Sequence, residues 1–127
     1  MEKQISGAEW EVMQIIWENP QGATLFSHIM DELTARGRPC QKNTLIVLLS
    51  RLMEKGFLHA HKVGRRNEYT PLVTAEQYQT AQTKRFVDKV YAGSAAGLVM
   101  NLISGDLLTP EEYKELEQLL KKGREMQ

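Results

Sequence analysis

Along ISGAEWEVMQIIWENPQG, residues 5–22, Trp10, Met13 and Trp17 recur with Val12 and Ile16 at helical spacing. That period predicts an amphipathic helix. Ser6 followed three residues later by Glu9 is a capping-box signature at its start, and NPQG is its stop. A second helix is predicted from about Leu25 to Ala35, with Ile29, Met30 and Leu33 inward and RGRP ending it. The third is predicted from about Gln41 to Lys55. Its Leu45, Leu48, Leu49 and Leu52 fall at i, i+3, i+4 and i+7, one apolar stripe, and Gly56 is placed to cap its C-terminus. The period then changes. Leu58 and Ala60 alternate with His59 and His61, Gly64 marks a turn, and RRNEYTP returns with Tyr69 turned inward.

Three short helices followed by a two-stranded hairpin is the winged-helix pattern. Beyond Pro71 the chain reads as helices again. Thr74 with Gln77 makes a second capping box, and GSAAGLVMNLISGD is a short apolar helix between glycines. Thr109-Pro110-Glu111-Glu112 combines a cap, a first-turn proline and first-turn acids. The last helix carries a stripe of Tyr113, Leu116, Leu119 and Leu120. The expected fold is mainly α with a small β-hairpin: an N-terminal winged helix-turn-helix over residues 1–72 and a helical region over residues 73–127.

Composition narrows the class. The chain has 127 residues, 42% of them apolar, enough for one good core and a smaller second unit. It contains no apolar run near the ~18 residues that span a bilayer. MEKQISGAEW has no apolar core behind its lysine, unlike a signal peptide. Cys40 is alone, which excludes an internal disulfide and a multi-cysteine metal cluster. The expectation is a cytoplasmic protein without membrane insertion.

The net charge is zero, but its distribution is uneven. Residues 36–71 hold eight cations (Arg36, Arg38, Lys42, Arg51, Lys55, Lys62, Arg65, Arg66) against Glu54 and Glu68, a local charge of +6. Residues 1–35 carry −5 and residues 72–127 carry −1. A local basic patch is what binding to a nucleic-acid backbone requires.

In a helix-turn-helix the second helix of the pair enters the major groove. Opposite its leucine stripe the third helix shows Asn43, Thr44, Ile46, Val47, Ser50 and Arg51. Asn, Ser and Thr can bond base edges, Lys42 and Arg51 can reach phosphate or guanine, and Ile46 and Val47 can touch thymine methyls. Val47 is unexpected, since it faces nearly opposite the core stripe. A groove-bound helix has a use for it, while single exposed apolar residues are also ordinary on any surface. Lys62, Arg65 and Arg66 at the hairpin suit flanking phosphates; a basic turn that is only solvated is the plainer alternative. His59 and His61 lack a third ligand and read as solvent or DNA contacts rather than a metal site. Cys40 reads as an apolar filler or idle thiol, with a redox role as the alternative. No catalytic constellation or phosphate loop stands out, so neither an enzyme nor a cofactor is expected.

These residues together closely resemble the BlaI/MecI/CopY family of bacterial repressors, best known as penicillinase repressors. The stretches that carry the resemblance are ISGAEWEVMQIIW, GAT with the short helix after it, NTLIVLLSRLMEKGFL, KVGRRNEYTP and RFVDKVYAGSAAGLVMNLI. The resemblance implies a homodimer whose winged helices bind a dyad-symmetric operator. Its groove face would be Lys42, Asn43, Thr44, Ile46 and Val47, with Arg51 behind. The family usually has more polar residues at Ile46 and Val47, a departure that bears on operator sequence and not on binding mode. The C-terminal helices would form the dimer interface, through Phe86, Val90, Leu98, Leu102, Tyr113, Leu116, Leu119 and Leu120. In the beta-lactam branch a membrane sensor-protease triggers cleavage at an Asn-Phe bond, and the corresponding bond here is Asn101-Leu102. LVMNLI also reads simply as dimer core. The copper branch carries a C-terminal cysteine cluster, which LLKKGREMQ lacks, so copper sensing through it is excluded. Two other readings stay open on the residues alone: a winged-helix regulator released by a small ligand without cleavage, and a winged-helix protein-interaction module.

Overall fold

The computed structural model describes residues 4–125. Glu2 and Lys3 of the charge count, and the final Met126 and Gln127, lie outside the described residues. The chain divides into two compact units, one ending at Ala81 and the other beginning at Gln82. The first holds α1 (Gly7–Glu18), β1 (Thr24–Leu25), α2 (Phe26–Ala35), α3 (Lys42–Glu54), β2 (Leu58–Val63), β3 (Arg66–Pro71) and the opening turns of α4 (Ala75–Val90).

Local chemistry sets the ends of these elements. The Glu9 N–H donates to Ser6 Oγ at 3.2 Å and the Ser6 N–H to Glu9 Oε1 at 3.0 Å, a complete capping box on α1. Helix α3 stops in a Schellman motif: the Phe57 N–H donates to the Leu52 carbonyl at 3.0 Å and the Gly56 N–H to the Met53 carbonyl at 3.1 Å. Gly56 adopts φ +84° there, where a Cβ would be strained. Gly64 (φ +67°) and Arg65 form the two-residue turn between the paired Val63 and Arg66, with positive φ at the first turn position only, as in a type II′ hairpin.

The core of this unit joins Val12, Met13, Ile15 and Ile16 of α1, Ile29 and Leu33 of α2, and Leu45, Leu49 and Leu52 of α3. Phe57, Leu58 and Tyr69 close it from the sheet side. Trp10 and Trp17 each pack a tilted ring against Tyr78, at centroid distances of 5.6 and 5.9 Å. The Trp17 indole N–H donates to the Val73 carbonyl at 2.8 Å and ties the chain leaving β3 to α1.

The sheet has one strand more than the predicted hairpin. Its order is β1-β3-β2, antiparallel throughout, with Thr24 opposite Tyr69 and Leu25 opposite Glu68. Leu25 is therefore extended backbone preceding α2 rather than its first turn. Thr24 is buried and its hydroxyl accepts from Asn19 Nδ2 at 2.9 Å, which also donates to the Ala23 carbonyl at 3.0 Å. The NPQGAT loop is thus closed by one asparagine side chain.

A half-buried ion pair fixes α3 against α1. Lys55, the C-cap of α3, donates from Nζ to Glu9 Oε1 at 2.8 Å, Glu9 Oε2 at 2.9 Å and the Gln4 carbonyl at 3.0 Å, which uses all three of its protons. Burial alone would raise the Glu9 carboxyl, but hydrogen bonds from Lys55 and Ser6, with the Lys55 charge, outweigh it and hold it below its usual value. A depressed folded-state pKa adds stability above the unfolded value, about 4.3, and loses it as pH falls through the folded one. Glu9→Gln is therefore expected to flatten the decline of Tm below about pH 4.5. At neutral pH it should cost about 1.5–3 kcal/mol, the range for hydrogen bonds to a charged group. Thermal melts of both proteins between pH 3 and 7 check this.

The second unit continues α4 and adds α5 (Ala95–Ser104) and α6 (Pro110–Glu125). Ser94 caps α5 through Gly97 N–H at 3.0 Å, and Thr109 with Glu112 forms a reciprocal box on α6. Among its described residues only Val87 is a buried hydrophobic, while Phe86, Val90, Met100, Ile103, Leu107 and Tyr113 are exposed in the single chain. Leu119 and Leu120 are 60% and 61% exposed. Leu98, Leu102 and Leu116 are half-buried. Apolar surface of this extent is unusual on a chain that stays alone.

Candidate nucleic-acid interface

The roll of α3 about its axis is dictated by its core stripe. Leu45, Leu49 and Leu52 are 0–1% exposed. At 100° per residue, Asn43, Ile46, Val47 and Ser50 must then point away from the core, and all four are exposed. Helices α2 and α3, joined through residues 36–41, are the helix pair, and α3 is the member with a free polar face.

Beside α3 lies an open cleft of about 700 Å³. Its floor is apolar, with Leu25, Phe26, Leu49, Met53, Ala60 and Tyr69. Its rim is polar or cationic, with Ser27 at the start of α2, Lys42 and Ser50 on α3, and Arg65, Arg66 and Asn67 at the hairpin. Burial pushes the Tyr69 hydroxyl above its usual pKa, against a smaller opposing effect of its hydrogen bond to Asn67, so it stays neutral. The hairpin and the helix therefore face one concavity with cations on both sides.

Ion pairing sorts the eight cations of residues 36–71 into two groups. Arg36 is held by Glu18 and Glu32, Arg38 by Glu11 at 3.1 Å, and Lys55 by Glu9. All four acids come from the acidic first 35 residues. Lys42, Arg51, Lys62, Arg65 and Arg66 are exposed and make no ion pair among the described residues. The local excess is thus neutralised at Arg36, Arg38 and the α3 C-cap Lys55, and left free on Lys42 and Arg51 of α3 and on the hairpin. Five unpaired cations on one helix and one hairpin give a field suited to a polyanion.

All ten residues expected to contact DNA (Lys42, Asn43, Thr44, Ile46, Val47, Ser50, Arg51, Lys62, Arg65 and Arg66) are solvent-exposed. The cleft brings Lys42, Ile46, Ser50, Arg65 and Arg66 together, while Asn43, Thr44, Val47, Arg51 and Lys62 lie outside its lining. Sequence reasoning missed Ser27 and Asn67, which reach the rim through chain reversals that no local pattern signals. His61 faces Glu68 across the hairpin at 3.2 Å and stacks on His59 at 6.1 Å between centroids. No cluster of three or more metal-ligating side chains occurs among the described residues, nor any helix long and apolar enough to cross a membrane. Cys40 is half-buried against the core.

Comparison with known proteins gives this arrangement a family. The chain is 35% identical over 121 residues to the penicillinase repressor of Bacillus licheniformis, covering 95% of this chain and 92% of the relative. It is 34% identical over 119 residues to the methicillin resistance regulatory protein MecI of Mammaliicoccus sciuri, covering 94% of each. These relatives are a repressor and a regulatory protein, not enzymes. The solution structure of the DNA-binding domain of the repressor BlaI superposes with a TM-score of 0.52 at 36% identity, covering 61% of this chain and 94% of that one. The penicillinase repressor family matches residues 5–122. The chain belongs to the penicillinase repressor family of transcriptional regulators, and its N-terminal unit is a winged helix of the kind found in the BlaI DNA-binding domain.

Proposed function

We propose that this protein is a homodimeric transcriptional repressor that holds a dyad-symmetric operator through α3 and the β2–β3 hairpin, and that proteolysis near Asn101-Leu102 after a membrane sensor-protease signal releases it. The observation that carries the DNA-binding part is the set of five unpaired cations around α3 and the hairpin. Membership of a family of repressors supports the regulatory role. The dimer reading draws on the uncovered apolar residues of α4, α5 and α6, which a second copy would bury. In this reading residues 1–72 bind DNA and residues 73–127 dimerise.

The release step uses a weak point. Asn101 lies in the last turns of α5, with Nδ2 donating to the Tyr91 hydroxyl at 2.8 Å and its carbonyl accepting from Gly105 N–H at 2.9 Å. Helix α5 has no buried residue in the single chain, so it opens at low cost once its partner is displaced. Cutting there severs α6 and its Tyr113, Leu116, Leu119 and Leu120 stripe. Selecting bound fragments from the host genome with the full chain should return dyad-symmetric sites whose half-sites are one DNA turn, or a multiple of it, apart. In a reporter strain, Asn101→Ala, at a residue outside the expected dimer interface, should repress normally yet no longer respond to the natural signal. Unchanged derepression would remove the proteolytic step and leave DNA binding standing.

A further inference from the structure

Ile46 and Val47 are 43% and 46% exposed on a helix whose other outward residues are polar or charged. Neither contributes to the buried core. At 100° per residue they flank Asn43 and Ser50 on either side, so the outward face reads methyl, amide and hydroxyl, methyl. Ile46 borders the cleft toward the hairpin and Val47 lies on the opposite flank, so one base pair cannot serve both. Residues 43 to 50 rise about 10 Å, roughly three stacked base pairs.

Thymine is the only unmodified base that presents a methyl group in the major groove. We propose that Ile46 and Val47 are specificity-determining residues that each pack on a thymine 5-methyl group, within a three-base-pair window whose adenine is read by the Asn43 amide. The inference rests on the DNA-binding reading above and adds to it the identity of the bases. The recognition helix reads part of its site by apolar contact and so discriminates at positions where it makes no hydrogen bond. Burying one methyl is worth about fourfold in affinity per half-site.

The test uses the full-length protein and a duplex selected by it from a random-sequence pool. Each thymine of the half-site is replaced in turn by deoxyuridine, which removes the methyl and leaves every groove donor and acceptor in place. Affinity read by fluorescence anisotropy at fixed salt should fall roughly three- to tenfold at two positions per half-site and hold elsewhere. Val47→Ala should erase the thymine–uracil difference at one of them and Ile46→Ala at the other. Both variants should keep the wild-type Tm and salt slope, since the two side chains are exposed and uncharged. Equal binding to uracil and thymine throughout would overturn the proposal while salt-dependent binding persisted; a patch that instead docks a protein gives this result. Discrimination that survives both alanine variants would overturn it too. Failure to select any duplex would defeat the DNA-binding reading itself.

Discussion

Replacing Leu119 and Leu120 together by glutamate is expected to turn the proposed dimer into monomers and weaken operator binding by about 10²–10⁴-fold. The magnitude follows from linkage. In the proposed dimer, two winged helices joined through their C-terminal helices would bind the second half-site at the effective concentration set by the first. Separated winged helices must each bind alone. The glutamates would replace two of the most exposed apolar side chains in the second unit. The core of the first unit, built on Val12, Ile16, Leu45, Leu49 and Leu52, should keep its melting transition. Sedimentation velocity reads the assembly state, and titration of full and half operators reads the affinity. A variant that stays dimeric, or a monomer with undiminished operator affinity, would place the interface elsewhere.

Arg65→Ala combined with Arg66→Ala is expected to weaken binding to every duplex alike, by on the order of 10³–10⁴-fold at 0.1 M salt. Both side chains are exposed at the rim of the cleft and free of ion pairs among the described residues. A dimer would lose about four phosphate contacts, each worth about 0.9 in the slope of log affinity against log salt. The slope should therefore shrink by about 3.6. Sequence preference should not change, because contacts to the backbone position the protein without reading bases. The same double change at Arg36 and Arg38 should leave the slope alone, since those two arginines are already engaged by Glu18, Glu32 and Glu11. Affinity and slope measured on operator and random duplexes separate these outcomes.

The contrast between these two arginine pairs marks how far the sequence could be read. Features that depend on neighbours within one turn were legible. The Ser6–Glu9, Thr74–Gln77 and Thr109–Glu112 boxes, the leucine stripe of α3, the Gly56 cap and the Gly64 turn all form where the local pattern puts them. The outward orientation of Asn43, Ile46 and Val47 follows from that stripe alone. Features created by distant pairing were not. Strand β1 has two residues, too few to show alternation, and exists because Thr24 and Leu25 lie against Tyr69 and Glu68. A charge count along residues 36–71 treats Arg36, Arg38 and Lys55 like Arg65 and Arg66. Only the folded chain shows that acids from α1 and α2 take the first three. Ser27 and Asn67 reach the cleft for the same non-local reason.

Five cations per chain, exposed and without an ion pair among the described residues, are the feature that a nucleic-acid backbone would engage. Titrating the full-length protein onto its selected operator from 50 to 200 mM salt tests this directly. Six to ten neutralised phosphates in the dimer predict an affinity loss of about 10³–10⁵-fold over that range, with log affinity linear in log salt. A flat response, or operator affinity no greater than that for an uncharged surface, would contradict it.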